Sequence, residues 1–222
     1  MENWAVIWDV DGTLVDTAEL HFQAWCELAR ELKQPFTRAD FARTFGWRNP
    51  EIIPLLFGAN RTPEDVDRLG GRKEDLYRAE AMKGVELLPG VRSLLNALAQ
   101  AGARQAVGSS APRKNLDLIL EITRTSPFFS AIVSMEDTAR GKPDPQVFLL
   151  AADKLGVPPQ RCVVVEDAPV GVQAAKAGGM RAIGVTFVGH HSEEKLSSAG
   201  ADLVLPSLEH VGVDMIKALL AV

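Results

Sequence analysis

The chain opens with Ala5-Val6-Ile7-Trp8, a short apolar run rich in β-branched and aromatic residues and followed by a turn at Gly12. Such a run reads as a buried strand. From Thr17 the period changes. Leu20, Trp25, Leu28, Ala29 and Leu32 recur at helical spacing, with Thr17 as the candidate N-cap and Pro35 as the stop. No stretch from there to Lys83 reads as a strand. The pattern predicts helices over 37–45, 49–57 and 62–83, the last bent at Gly70-Gly71. Beyond residue 84, short apolar runs alternate with helical stretches. Strands are predicted at 104–108, 129–133, 161–165, 182–185 and 203–205, and helices at 89–101, 113–122, 146–155 and 170–177. This alternation implies an α/β fold with a doubly wound parallel sheet and helices on both faces. Residues 1–16 and 85–222 form the expected core, and the all-helical stretch 17–84 is an insertion after the first strand.

Composition narrows the field. The 222 residues are 46% hydrophobic, enough for a substantial core. A net charge of −5 argues against nucleic acid as the main partner. No apolar stretch approaches the length of a membrane span. Acidic Glu2 and Asp9 do not suit a secretory leader, so a soluble, cytoplasmic monomer is expected. Cys26 and Cys162 sit in apolar segments without metal-ligand spacing, as buried free thiols of a reducing compartment.

Candidate chemistry collects where the predicted strands end. Asp9 and Asp11 follow the first strand, Ser109 and Ser110 the second, and Glu166-Asp167 the fourth, at 161–165, while Lys142 stands in a loop before a helix. Each alone is compatible with ordinary turn chemistry. Together they form an acidic cage with a hydroxyl and a lysine, at the edge where open α/β sheets bind ligands. Close carboxylates repel unless a cation or a shared proton relieves them. A hard ion such as Mg2+ suits them, and it would let Lys142 and Ser109 hold the oxygens of a phosphate. The aspartate pair also suits a division between nucleophile and acid–base. Gly171, Gly178 and Gly179 lack the spacing of a nucleotide-binding fingerprint. His190-His191 reads as an exposed loop rather than a metal site, and Arg140 either adds positive potential near Lys142 or faces solvent.

Four motifs occur in order: Asp9-Val10-Asp11-Gly12-Thr13, Ser109 after an apolar strand, Gly141-Lys142-Pro143-Asp144-Pro145, and Glu166-Asp167. They span nearly the whole chain and resemble those of the haloacid dehalogenase superfamily of phosphohydrolases. The resemblance implies Asp9 as a nucleophile forming an aspartyl-phosphate and Asp11 as acid and base. It implies Ser109 and Lys142 on the phosphoryl oxygens. Mg2+ would be held by Asp9, the main-chain carbonyl of Asp11 and Asp167, with Glu166 nearby or acting through water. Gly12, Thr13 and Ser110 in the same motifs are substrate-binding candidates. The namesake dehalogenases lack an aspartate at the position of Asp11, so its presence favours phosphoryl chemistry. Ala168-Pro169 stands where a serine is common after the last motif.

The stretch 16–25 looks like the β-phosphoglucomutase-like subgroup, which implies that 17–84 is a cap closing over the site. His21 and Trp25, one helical turn apart, are candidates for its substrate-facing side. For Trp25 packing is favoured; for His21 packing and proton transfer both stand. Arg48, in the loop Gly46-Trp47-Arg48-Asn49-Pro50, either meets an anionic group of the substrate or faces solvent. Mutases of the subgroup grip a second phosphate with a lysine and an arginine near here. This chain has Phe45 and Arg48 instead. The expectation is therefore a Mg2+-dependent phosphatase acting on a small phosphorylated metabolite, a sugar phosphate foremost. A phosphomutase is the alternative of like chemistry. A non-catalytic regulatory protein is the alternative of another class, and the intact set Asp9, Asp11, Ser109, Lys142 and Asp167 argues against it.

Overall fold

The computed structural model describes residues 3–221, so the reading placed on Glu2 lies outside the described residues. Its centre is a six-stranded, all-parallel sheet in the order β3-β2-β1-β4-β5-β6. The strands are β1 (Ala5–Trp8), β2 (Arg104–Gly108), β3 (Ala131–Val133), β4 (Cys162–Glu166), β5 (Arg181–Val185) and β6 (Leu203–Leu205). β1 lies in the middle, with Ala5 opposite both Arg104 and Cys162, and Trp8 opposite Val107 and Val165. Strand order reverses between β1 and β4. A crevice therefore opens at their carboxyl ends, where ligands of doubly wound sheets bind.

Side chains alternate across the sheet, and each set meets its own helices. Val6, Trp8, Val163 and Val165 pack with α5 (Val91–Gln100), α6 (Arg113–Ile122) and α10 (Val213–Leu220) on one face. Ala5, Ile7, Cys162 and Val164 pack with α7 (Gln146–Leu155), α8 (Pro169–Ala177) and α9 (Glu193–Ser198) on the other. Strands covered on both faces must be apolar throughout, which is why β1 and β4 read as continuous runs.

Between β1 and β2 the chain forms α1 (Ala18–Glu31), α2 (Arg38–Thr44), α3 (Asn49–Phe57) and α4 (Pro63–Ala81). They share an apolar cluster of their own, built on Trp25, Leu28, Phe41, Phe45, Ile53 and Leu69. The insert leaves and rejoins at one place: Leu88 N donates to Leu14 O at 2.9 Å, and Val15 bridges to Leu87. Among the described residues, no helix is long and apolar enough to cross a membrane.

The structure departs from the expected pattern at several points. α4 runs unbroken through Gly70-Gly71. Gly70 serves packing, with the place of its missing Cβ 3.4 Å from Asn49 Cβ and 3.6 Å from Ile53 Cδ1. α9 and α10 were not expected; each buries a single fully enclosed side chain, Leu196 and Ile216. Cys162 is buried but Cys26 only half so. His190 and His191 are half-buried rather than exposed, and the His190 ring packs 4.8 Å from that of Phe45. Arg140 faces solvent and pairs with Asp144 at 2.9 Å.

Candidate active site

β1 delivers both aspartates to the open edge. Asp9 N donates to Val165 O at 3.0 Å, so the ladder to β4 continues one residue past Trp8. The chain then turns at Gly12 with φ of 85°. A Cβ there would lie 2.1 Å from Asp167 Oδ2, so glycine serves both the turn and that carboxylate. β4 contributes Glu166 as its last residue and Asp167 as the next. Glu166 Oε2 accepts from Ala168 N at 2.7 Å. Gly171 clears space beside it, since a Cβ at that position would sit 1.7 Å from Glu166 Oε1. Ser109, directly after β2, is buried. Lys142 enters from the loop before α7, its Nζ 2.7 Å from Asp9 Oδ1 and 2.5 Å from Glu166 Oε1.

Asp9, Glu166 and Asp167 each place a carboxylate oxygen within 4.8 Å of the others. One ammonium does not balance three buried carboxylates. Burial pushes Asp9 up to about 7 against the pull of Lys142, and the charges of Glu166 and Asp11 add to the rise. Asp167 is raised well above the usual carboxylate range, by burial first and then by Glu166 and Asp9. Its Oδ2 is buried without a hydrogen-bond partner. An orphaned carboxylate oxygen, an all-oxygen donor set and excess negative charge together fit a hard divalent cation.

Asp11 is surrounded by donors instead. Its Oδ1 accepts the Thr17 hydroxyl and lies 3.1 Å from His21 Nε2. Burial would raise its pKa, but His21, Thr17 and the charge of Lys73 outweigh burial and hold it at about 2. His21 is fixed from two further sides. Its ring stacks on Tyr77 at 4.0 Å, and Lys73 Nζ lies 2.7 Å from Nδ1. With Lys73 as an ammonium donating to Nδ1, the ring proton resides on Nε2 and is donated to Asp11.

One cavity of about 70 Å³ joins these groups. Asp9, Asp11, Ser109, Ser110, Lys142, Glu166 and Asp167 line its floor, and His21, Trp25, Phe45, Trp47 and Ile52 line the side formed by the helical insert. Trp25 also packs within the insert, 5.9 Å from the Phe57 ring, so it serves both purposes. Gly12, Thr13 and Arg48 do not line the cavity. Gly12 faces Asp167, and Thr13 is fully buried. Arg48 Nη2 donates to the main-chain carbonyls of Met135 at 2.8 Å and Thr138 at 3.1 Å, across the gap between insert and sheet.

Sequence reasoning missed three side chains here. Thr17 occupies the N-cap position of α1 without making a cap bond, because its hydroxyl serves Asp11. Lys73 and Glu74 stand in the charged run Arg72-Lys73-Glu74-Asp75, which reads as a solvated face, yet they are 3% and 5% exposed. A signal was present: Lys73 and Tyr77 fall at four-residue spacing in a stripe with Leu69 and Ala81, all buried. Glu74 lies below the usual carboxylate range, because Lys73, His21 and the amides of Asn49 and Asn115 outweigh its burial.

Comparison with known proteins agrees with this geometry. Residues 5–179 match the family described as haloacid dehalogenase-like hydrolase. The chain is 35% identical over 219 residues to the β-phosphoglucomutase of Bacillus subtilis, covering 96% of this chain and 93% of that protein. It is 30% identical over 203 residues to a phosphorylated carbohydrates phosphatase of Thermotoga maritima, covering 91% and 94% respectively. The crystal structure of a β-phosphoglucomutase from Clostridium difficile superposes with a TM-score of 0.88 at 25% identity, covering 99% of this chain and 98% of that one. On these matches the chain belongs to the haloacid dehalogenase-like hydrolases, in their β-phosphoglucomutase-like subgroup, and is an enzyme of the phosphatase type.

Proposed function

We propose that the protein is a Mg2+-dependent phosphatase that hydrolyses a small phosphorylated metabolite, a sugar phosphate foremost, through an aspartyl-phosphate on Asp9. On this reading residues 1–16 and 85–222 are the catalytic core, and 17–84 are a cap that excludes water and selects the leaving group. The Asp9 carboxylate attacks phosphorus while the ester P–O bond breaks, and Asp11 gives a proton to the departing oxygen. Asp11 then takes a proton from water as it attacks the phosphoryl group, and the P–O bond to Asp9 breaks. Lys142 and Ser109 hold the phosphoryl oxygens throughout. The dianionic phosphoryl group beside Asp11 raises the pKa of that residue from its low resting value, as a proton donor requires. The ion would be held by Asp9, the main-chain carbonyl of Asp11 and Asp167, with Glu166 alongside. It would neutralise their excess charge and draw in the phosphoryl oxygens.

Replacing Asp167 separates stability from metal binding. A carboxylate whose folded pKa is raised costs stability above its ordinary pKa, so at neutral pH Asp167→Asn should raise the metal-free melting temperature. The expected gain is a few degrees, since about 1 kcal/mol moves Tm by roughly 2–4 °C in a chain of this size. The same change should abolish the further rise that added Mg2+ gives the wild type. Thermal melts with and without Mg2+ check both; an undiminished Mg2+ response in the variant would remove Asp167 from the ion's ligands.

The observation that favours a phosphatase over a mutase is the state of the cations. Lys73 and Lys142 on the cavity wall are already paired with buried carboxylates, and Arg48 is engaged by two main-chain carbonyls. A mutase must hold a bisphosphorylated intermediate, which needs a firm cationic grip on the distal phosphate. The likeness to β-phosphoglucomutase keeps the mutase as the second reading. The test supplies β-glucose 1-phosphate, Mg2+ and a trace of glucose 1,6-bisphosphate, and measures glucose 6-phosphate and free phosphate. The phosphatase reading expects slow phosphate release here and faster release from another metabolite in a panel. Rapid conversion to glucose 6-phosphate with little free phosphate would establish the mutase instead.

A further inference from the structure

The mechanism above leaves Glu74 without a task, although it is a buried carboxylate on the cavity wall. Its Oε1 accepts from Lys73 Nζ at 2.9 Å and from Asn49 Nδ2 at 2.7 Å. Its Oε2 accepts from Asn115 Nδ2 at 2.6 Å. Asn49 is at the start of α3, within the cap. Asn115 belongs to the core: it lies on α6, the helix that follows Ser109, and is 2% exposed. The other end of the same amide is also held from the cap, since Asn115 Oδ1 accepts from Arg78 Nη1 at 2.7 Å. Glu74 and Arg78 are four residues apart, hence on one face of α4. One core amide is thus gripped at both ends by one turn of a cap helix.

This grip connects to Asp11 through a short path. Glu74 holds Lys73, whose Nζ reaches His21 Nδ1, and His21 Nε2 meets Asp11. Lys73, Glu74 and His21 are on the cap, whereas Asp11 is on the core. The contact between His21 and Asp11 therefore exists only in one placement of cap on core. A buried ammonium needs its carboxylate, and a buried carboxylate needs its donors, so the four groups hold one another in that placement.

We infer that Glu74 and Asn115 are positioning residues for the leaving-group proton: their bond registers the closed cap on the core and sets Lys73, and through it His21, so that Asp11 is aimed at the departing oxygen. The inference rests on the reading of Asp11 as proton donor. Removing either partner weakens proton delivery while Asp9, Ser109, Lys142 and the metal ligands stay in place. The deficit then depends on how much the leaving group needs its proton. An alkoxide needs it; a nitrophenolate leaves without it.

The experiment measures kcat and KM for wild type, Glu74→Gln, Asn115→Ala and the double variant. The substrates are 4-nitrophenyl phosphate and the fastest of glucose 6-phosphate, fructose 6-phosphate and glycerol 2-phosphate. The ratio of alkyl to aryl kcat is expected to fall about ten-fold or more in each single variant, the range over which general acid catalysis contributes being roughly 10²–10⁴. The double variant should lose little beyond the worse single, because both act through one contact. An equal loss on both esters, or a change confined to KM, overturns the inference while leaving the phosphatase reading intact. If the wild type hydrolyses no ester, the phosphatase reading fails and takes the inference with it. Should Glu74→Gln melt too low for assay, Asn115→Ala decides alone, since it leaves the Lys73–Glu74 pair in place.

Discussion

Asp9→Asn should reduce steady-state hydrolysis by a factor on the order of 10,000 or more and leave the protein folded. An amide cannot form the acyl-phosphate, and losing a catalytic nucleophile characteristically removes most of the rate enhancement. The fold should tolerate the change for an electrostatic reason. Burial already pushes the Asp9 carboxyl up to about 7, so its charge is held at a cost at neutral pH. Asparagine has the same shape without that charge, and Lys142 retains Glu166 as a partner. The measurement is phosphate release alongside a thermal melt. Near-normal turnover by a well-folded variant would remove Asp9 from the nucleophile's role.

Lys142→Met should damage both stability and activity. The lysine is buried and is the direct ion-pair partner of both Asp9 and Glu166. Removing one side of a buried ion pair costs about 3–5 kcal/mol. The pH dependence identifies the cause. Asp9 is raised from its ordinary 3.8 to about 7 even with Lys142 present, and it must rise further without the lysine's pull. An acid with a raised folded pKa destabilises the fold progressively as pH climbs from its unfolded value through the folded one. Below about pH 7 the Asp9 carboxyl is protonated in both folded proteins, so its part of the stability gap between variant and wild type should be absent there and open as pH rises above about 7, where only the wild-type carboxyl ionises readily. Added Mg2+ should recover part of it, because a dication replaces the missing positive charge. The expected fall in kcat is about 10²–10³-fold, the usual effect of removing one donor to a developing oxyanion. Denaturant melts across pH test this; a gap that is constant with pH would mean that lost packing, not charge, carries the effect.

The Asp167 and Lys142 predictions share a logic. The carboxyl edge of the sheet is built with more negative charge than its protein partners balance. On the proposed reading, a bound cation would relieve that imbalance. Gly12 and Gly171 belong to the same construction, each leaving the space that an acidic side chain occupies.

Most of the core was legible along the chain, because its determinants are local. β1 and β4 are apolar on both faces and announce themselves without knowledge of their neighbours. The helices of the insert carry their own caps: Thr37 and Thr62 each accept the main-chain N–H three residues on. Asp9, Asp11, Ser109, Lys142, Glu166 and Asp167 were identifiable because a parallel sheet sends every strand end to one edge, so order along the chain becomes proximity in space.

Other assignments depended on packing between distant segments. Thr17 looks like a helix cap, and only the turn of β1 towards α1 gives its hydroxyl to Asp11. Arg48 reads along the chain as either a ligand for an anion or a solvated side chain, and only the apposition of its loop with residues 135–138 gives it main-chain carbonyls. Glu74 and Asn115 are 41 positions apart and meet only where α4 lies on α6. Hydrophobic period and turn chemistry are written in neighbouring residues, so they can be read in one dimension. The partner of a buried charge is chosen by which surfaces come together, and that follows from the folded arrangement of the whole chain.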